Sequence, residues 1–215
     1  MLSKSMSHVI QAMPKALVML GLSLLLGASF AQAQDKPDEL VKTWSTEILN
    51  AIKADTELQS GNIKKLSELV DSKIMPNVNF QRTTALAVGR SWSKATPEQQ
   101  KIIMQEFRTL LVRTYAGALT TVKDKNLQFK PLRAAPEDTE VVVRSQVVSN
   151  KGGEPIQLDY RLEKTANSWK IFDLNVLGIW LVENYRGQFA SEINQNGLDG
   201  LIAKLQEQNK QASKK

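Results

Sequence analysis

The chain has 215 residues, a formal net charge of +6 and no cysteine, and its one histidine is His8. Without thiols or further imidazoles, the rest of the chain excludes Ser-His-Asp and Cys-His nucleophilic sites, histidine general bases, the usual zinc sites and disulfides. Carboxylate chemistry, as in glycosidases, stays open. The positive charge is mild and not clustered, so it argues against nucleic-acid binding and suits loose contact with anionic lipid or an acidic partner.

The first residues have the pattern of a secretory signal. Lys4 and Lys15 precede the apolar run ALVMLGLSLLLGASFA, and Ala31-Gln32-Ala33 fits a signal-peptidase site. The sequence therefore predicts a cleaved signal peptide over residues 1–33 and one domain over 34–215, with a polar C-terminal tail that frays. The alternative is an uncleaved membrane anchor, for which the run is short.

Four helices are predicted before any strand. Apolar residues at helical spacing indicate helices over Asp38–Ala54, Asn62–Met75 and Asn77–Gly89, the second stopped by Pro76 and the third by its glycine. Thr96-Pro97-Glu98-Gln99 is a capping box that starts a long helix ending near Thr120. The apolar stripe of this helix is broader than one contact line needs.

The second half of the chain begins with alternating strands. They cover Leu127–Arg133, Glu140–Ser149 and 156–163, and a fourth begins at Trp169 and bends at Gly178. Apolar spacing then predicts a helix from Leu181 that ends at Asn196-Gly197, and a short terminal helix. The sequence therefore predicts an α+β fold, an antiparallel meander of about four strands wrapped by amphipathic helices.

The amount of apolar surface is the feature that bears on function. The stretch WKIFDLNVLGIWLVENYRGQF runs from a strand into a helix with almost no polar residue in its middle. A sheet covered by helices can close over a solid core, or it can leave a cavity for an apolar ligand. Periodicity alone does not separate these two interpretations.

Three stretches resemble the MlaC family, also called the toluene-tolerance family. They are DSKIMPNVNFQRTTALAVGRSWSKATPEQQ, EFRTLLVRTYAGAL, and the stretch from Trp169 followed by NGLDGLIAKL. They occur in the family's order and extend the resemblance over residues 63–205. The chain departs from the family's usual residues at Asn79, Val88, Leu177 and Trp180, which bears on headgroup contacts and partner docking rather than on an apolar pocket.

The resemblance implies a non-enzymatic periplasmic phospholipid carrier with a curved sheet, similar to the nuclear transport factor 2 fold with extra helices. It implies diacyl phospholipid as cargo, with neither cofactor nor metal, and a monomeric protein. The implied partners are an inner-membrane ABC transporter complex with an MCE-domain ring and an outer-membrane lipoprotein–porin complex. The family is associated with the lipid asymmetry of the outer membrane.

With this resemblance, we expect the acyl chains to lie between the concave face of the sheet and the helices. Asp173 is expected to have a hydrogen-bonded structural role, and Trp180 to line the mouth, to touch a partner or to be an ordinary half-buried side chain. The residues expected to contact lipid are Ile74, Met75, Phe80, Phe107, Leu110, Leu111, Tyr115, Val143, Tyr160, Leu162, Phe172, Val176, Ile179, Leu181 and Tyr185.

Two other functions remain open from the sequence. One is a non-enzymatic periplasmic adaptor of an ABC transporter, with a solid core in place of a cavity. The other is a periplasmic enzyme on a fold of the same kind, which would need a buried pair of titratable groups, and Asp173 is the obvious inward-facing candidate for one of them.

Overall fold

The computed structural model describes residues 36–120, 122 and 124–212, so the signal-peptide prediction lies outside the described residues. Within them, no helix combines the length and the apolar character needed to cross a membrane. The α-helices are α1 (Pro37–Ala54), α2 (Thr56–Gln59), α3 (Ile63–Leu69), α4 (Phe80–Val88), α5 (Pro97–Thr120) and α6 (Leu181–Ala212). The strands are β1 (Lys125–Phe129), β2 (Glu140–Ser149), β3 (Ile156–Lys164), β4 (Trp169–Val176) and β5 (Ile179–Trp180).

The second predicted helix is shorter than expected and changes its winding. Asn62 caps α3, its side-chain oxygen accepting hydrogen bonds from the Lys64 and Lys65 amides. The chain then forms a π-helical turn over Val70–Ile74 and a 3-10 turn over Met75–Asn77. Proline cannot donate a backbone hydrogen bond, so α-helical hydrogen bonding cannot continue at Pro76, which lies inside the 3-10 turn. π-Helical turns of this kind are frequent at functional sites.

The capping box predicted for the long helix is confirmed. The Thr96 amide donates to Gln99 Oε1 at 3.0 Å, and the Gln99 amide donates to Thr96 Oγ1 at 3.2 Å. Helix α5 starts at Pro97 and ends at Thr120 as the sequence indicates. The helix before it, α4, starts at Phe80 because Asn79 caps it, the side-chain oxygen accepting from the Arg82 amide.

The sheet is an antiparallel meander of five strands in the order β1-β2-β3-β4-β5. The predicted α+β fold with an antiparallel sheet is therefore confirmed, with a two-residue fifth strand that the sequence analysis did not predict. The first predicted strand ends at Phe129, before Pro131, and lies at the edge of the sheet. A bulge between Arg161 and Leu162 shifts the register of β3 against β4.

Strands β4 and β5 are joined by the two residues Leu177 and Gly178, both with positive φ, at 55° and 86°. A two-residue loop with positive φ at both positions matches the twist of an antiparallel hairpin, and glycine suits it. Leu177 adopts this conformation although its side chain branches, and it is 67% exposed. The hairpin directs the chain from the sheet into α6.

Helix α6 is interrupted once and continues further than predicted. Gly197 has φ 71° and ψ −172°, a conformation outside the helical region, which confirms the predicted break at Asn196-Gly197. The tail that was expected to fray is helical as far as Ala212. The reason is a contact with α5: Asn209 is buried and its Nδ2 donates to the Glu106 carbonyl oxygen at 3.0 Å.

In the part of the chain that the structure describes, the apolar core has three clusters. One joins α4, α5 and α6 around Phe107, and a second packs α1 against the sheet around Leu162. The third joins α1, α2, α3 and α5 around Leu66. The helices therefore do not form one continuous layer against the sheet, and a cavity lies among the clusters.

Candidate functional site: an apolar cavity between the sheet and the helices

A cavity of about 390 Å³ lies between the sheet and the helices, within the range of sites that bind small molecules. Strands β1 to β4 form one wall, and α1, α4, α5 and the π-helical turn form the other. Its surface is almost entirely aliphatic and aromatic. Such a surface favours hydrocarbon over water, because apolar groups are transferred out of water on binding.

Most of the residues expected to contact lipid line this cavity. The stretch that begins DSKIMP reaches the cavity through the π-helical turn, the 3-10 turn and α4, and helix α5 reaches it through one side of its C-terminal half. The strand-to-helix stretch reaches it from β4 and from the first residue of α6. The expected residues in the lining are Ile74, Met75, Phe80, Leu111, Tyr115, Tyr160, Phe172, Val176 and Leu181. Their contact with lipid stays a prediction.

The other expected residues lie outside the lining, where packing against protein takes their surface. Phe107 and Tyr185 are buried in the helical core, with ring centroids 4.8 Å apart, and Leu110 packs against the same cluster. Val143 and Leu162 are covered by α1 in the second cluster. Ile179 is 59% exposed on the short edge strand β5.

Helix α1 supplies lining residues that the sequence analysis did not assign to the site. Trp44, Ser45, Ile48, Leu49 and Ile52 all line the cavity. Their apolar spacing predicted a helix with one buried face. One signal in the sequence could have pointed to these residues. The apolar stripe of α1 contains a tryptophan and several large aliphatic residues, and the sequence does not indicate which element covers them. Only the fold shows that part of the stripe faces a cavity.

Asp173 is the one carboxylate in the lining as far as the described residues show, and its oxygens are already bonded. Its Oδ1 accepts from the Leu174 and Val182 amides at 2.9 and 3.0 Å, and its Oδ2 accepts from Arg161 Nη1 at 3.0 Å. Burial raises the pKa of this carboxyl, while the two amides and Arg161 act in the opposite direction. These hydrogen bonds join β4 to the start of α6, which fits the structural role expected for Asp173.

Two tyrosines supply further polar atoms at the lining. The Tyr160 hydroxyl lies 3.1 Å from Ser45 Oγ, so a hydrogen bond joins β3 to α1. Burial raises the pKa of Tyr160, against the effect of hydrogen bonds from Ser45 and Ser145. The pKa of Tyr115 is raised by burial and by the neighbouring Tyr185. Both phenols are therefore neutral at physiological pH.

Trp180 lies outside the lining and stacks against a charged side chain. The Arg161 guanidinium carbon is 3.8 Å from the centroid of its ring, and Arg161 also binds Asp173 and Glu183. These contacts hold the β4–β5 hairpin at the start of α6. Of the expected alternatives for Trp180, its contacts fit the half-buried structural side chain, and contact with a partner stays a prediction.

The described residues contain no group of three or more carboxylate or imidazole side chains that could hold a metal ion. What the site can do follows from its walls: it can enclose hydrocarbon, with polar groups limited to a few fixed positions. An α+β domain with a cavity of this kind is typical of proteins that enclose an apolar ligand.

Comparison with known proteins identifies the family. The family model described as "MlaC protein" matches residues 42–207, and the chain belongs to this family. The intermembrane phospholipid transport system binding protein MlaC of Haemophilus influenzae is 23% identical over 86% of this chain and 88% of its own. The toluene tolerance protein ttg2D of Pseudomonas putida is 28% identical over 83% of this chain and 84% of its own.

A solved structure supports the fold in more detail. The phospholipid-binding protein of Ralstonia solanacearum, determined in complex with a phospholipid, superposes with a TM-score of 0.80 and is 49% identical. The match covers 83% of this chain and 99% of that one. The family expected from the three sequence stretches is therefore confirmed.

Proposed function

We propose that this protein is a periplasmic phospholipid carrier that holds the acyl chains of its cargo in the cavity between the sheet and the helices. The observation that carries the proposal is the cavity itself, about 390 Å³ in volume and lined almost entirely by apolar side chains. The relatives support it, since the Haemophilus protein is named for intermembrane phospholipid transport and the Ralstonia structure contains a phospholipid.

The energetics of such a cavity suit transfer rather than permanent storage. Each methylene buried from water contributes about 0.8 kcal/mol, so each fully buried chain of about sixteen carbons gains on the order of 10 kcal/mol relative to water. Relative to a bilayer the gain is near zero, because the chains are already in hydrocarbon. A carrier with an apolar cavity therefore keeps its cargo in water and can still release it at a membrane.

The cavity favours this function over the two alternatives. A solid-core adaptor would need no apolar cavity, yet the clusters around Phe107 and Leu162 leave one between them. An enzyme that works through carboxylates would need carboxylate oxygens free to act on the ligand. In the described lining, the oxygens of Asp173 are engaged by two backbone amides and by Arg161. We therefore propose a protein that binds its cargo without changing it.

Location and partners follow from the same proposal. A signal peptide over residues 1–33 would export the chain to the periplasm, between the two membranes that an intermembrane transport system connects. We propose that cargo is exchanged with an inner-membrane ABC transporter complex bearing an MCE-domain ring and with an outer-membrane lipoprotein–porin complex. No cofactor is needed, and the carrier acts as a monomer.

Native mass spectrometry of the protein purified from the periplasm tests the proposal. We expect a discrete mass excess that resolves, after denaturation, into diacyl phospholipid. The variant Leu111→Trp extends a lining side chain of α5 into the cavity, and we expect it to carry less lipid. Gln105→Trp adds the same ring at an exposed position of the same helix and is expected to carry lipid like the wild type.

The contrary results are equally clear. A bare mass that persists after incubation with phospholipid vesicles would contradict the carrier and favour the adaptor. Conversion of added phospholipid into lysophospholipid or free fatty acid would favour the enzyme. Equal lipid content in Leu111→Trp and the wild type would place the acyl chains elsewhere.

A further inference from the structure

The charges at the cavity lining are unbalanced. Its cationic residues are Lys73, Arg108 and Lys125, whereas Asp173 is its one carboxylate among the described residues. The oxygens of Asp173 already accept hydrogen bonds from two amides and Arg161. A cavity with apolar walls and an excess of cations attracts a ligand that combines hydrocarbon with negative charge.

Arg108 of α5 carries a buried donor without an acceptor. Its Nη2 donates to the carbonyl oxygen and the hydroxyl of Ser67 at 3.1 and 3.0 Å, and it pairs with Asp71 at 2.5 Å. Its Nε is buried and has no hydrogen-bond partner among the described residues. A guanidinium has five N–H donors, and these contacts engage its Nη2 alone, so the fork keeps donors for an oxygen of a ligand in the cavity.

Lys73 lies in the π-helical turn and is held only loosely. Its ammonium is 3.8 Å from Glu47 Oε2, beyond ordinary hydrogen-bond distance, and its side chain is 49% exposed. An ion pair of this kind contributes little, so the ammonium can turn to another anion at small cost. Because Lys73 is both half-exposed and part of the lining, the cavity meets solvent beside it.

One short segment connects the two cations. Asp71, which pairs with Arg108, lies two residues before Lys73 in the π-helical turn Val70–Ile74. The turn therefore carries the anchor of one cation and the other cation itself. Arginine offers a planar fork of donors and lysine a mobile point charge, a combination that suits the oxygens of a phosphate group.

We propose that Lys73 and Arg108 bind the phosphodiester of the phospholipid at the mouth of the cavity. This inference rests on the proposed carrier function and adds a specificity to it. Every diacylglycerophospholipid has this phosphodiester whatever its head alcohol, whereas a diacylglycerol with the same chains lacks it. The protein therefore selects phospholipid over diacylglycerol and is indifferent to the head alcohol.

A competition experiment tests this selectivity. The full chain, exported and purified, is freed of lipid and incubated with mixed micelles containing equal amounts of dioleoylphosphatidylglycerol and dioleoylglycerol, and bound lipid is counted by native mass spectrometry. We expect the wild type to prefer the phospholipid by about tenfold or more, as for a charge-assisted hydrogen bond. Lys73→Gln and Arg108→Gln should each lower this ratio several-fold while diacylglycerol still binds.

The control is Lys42→Gln, which removes an exposed cation of α1 that pairs with Glu39 of the same helix. It should keep the wild-type ratio. If Arg108→Gln fails to fold because it loses its contacts with Ser67 and Asp71, Lys73→Gln decides the matter, since its side chain is half-exposed.

The contrary outcomes separate the inference from the proposed function. An unchanged ratio in folded Lys73→Gln, or a wild type without preference, would overturn the phosphate site and leave the carrier intact. Inorganic phosphate that binds the wild type without displacing phospholipid would show an anion site separate from the cargo and would also overturn it. A wild type that takes up neither lipid would overturn the carrier function and this inference with it.

Discussion

The polar side chains around the cavity tie its walls together. Tyr160 of β3 reaches Ser45 of α1 across the space, and Asp173 of β4 accepts the Val182 amide at the start of α6. Each contact satisfies polar atoms that would otherwise face hydrocarbon. The polar residues of the lining thus fix where the helices lie against the sheet, and the ligand can be held by apolar contact.

The hydrogen bond between Tyr160 and Ser45 gives a first prediction. Tyr160→Phe removes the hydroxyl and keeps the ring, so we expect a loss of about 1 kcal/mol in the free energy of unfolding. Urea denaturation of Tyr160→Phe, Ser45→Ala and the double variant measures the coupling. If the double variant loses the full sum of the single losses, the 3.1 Å contact does not stabilise the protein.

Helix α5 shows how one element serves both core and cavity. Phe107 is fully buried among Phe80, Tyr185 and Phe189, with ring centroids 4.8 to 5.7 Å away. Leu111, one turn further on, borders the cavity. The broad apolar stripe read from the sequence is therefore the sum of two surfaces with different roles.

This difference predicts unequal costs of truncation on the same helix. Phe107→Ala leaves a hole in a packed cluster, and we expect a loss of about 3–5 kcal/mol. Leu111→Ala enlarges a space that already exists and should cost about 2 kcal/mol, the low end for such a truncation, because fewer packing contacts are lost. Chemical denaturation of the lipid-free variants compares the two. Equal losses would mean that α5 has no cavity-facing side.

The glycines of α6 give a second prediction at this scale. At Gly197, φ is 71° and ψ is −172°, and a Cβ added there would have no heavy atom within 4 Å. Gly197→Ala should therefore lower the free energy of unfolding by about 1–3 kcal/mol through backbone strain alone. Gly187 lies in the helical part with equally open space, and Gly187→Ala should stabilise by about 0.5–1 kcal/mol. Thermal unfolding of both variants shows whether their melting temperatures shift in opposite directions. A stabilising Gly197→Ala would mean that the helix can run straight through.

Local chemistry explains which elements were predictable. The capping box at Thr96, the break at Gly197 and the strand β3 are each indicated by adjacent residues. All three appear where expected, although Asp159 of β3 is buried on the side that the alternation marks as polar. The local sequence pattern does not distinguish residues that line the cavity from residues that pack in the core. Phe107 and Leu111 have the same periodicity, and only the positions of α6 and α1 decide which of them meets protein and which meets open space.

At the scale of the molecule, the cavity draws its walls from both ends of the chain. Helix α1 and the π-helical turn come from the N-terminal part, and β4 and the start of α6 come from the C-terminal part. A ligand in the cavity therefore contacts elements that are far apart in sequence. Binding should stabilise the whole fold rather than one segment of it.

This arrangement predicts a stability that depends on cargo. A ligand at a hundred times its dissociation constant stabilises the folded state by about 2.7 kcal/mol, so lipid-loaded protein should melt about 5–10 °C above lipid-free protein. Calorimetry of the two forms measures the shift. Leu111→Trp should show little of it, and an identical melting temperature for both wild-type forms would contradict binding inside the fold.

The order of the strands has a consequence for how the protein reaches its native state. Each strand pairs with its neighbour along the chain, from β1 through β5, with no crossover between them. Contacts between near neighbours in sequence require only short loop closures, and such topologies fold faster than those built on distant pairings. The sheet can thus assemble hairpin by hairpin, and the long-range docking of α1 and α6 can follow. A chain without cysteine gains from this route, since no covalent crosslink holds its partly folded states together.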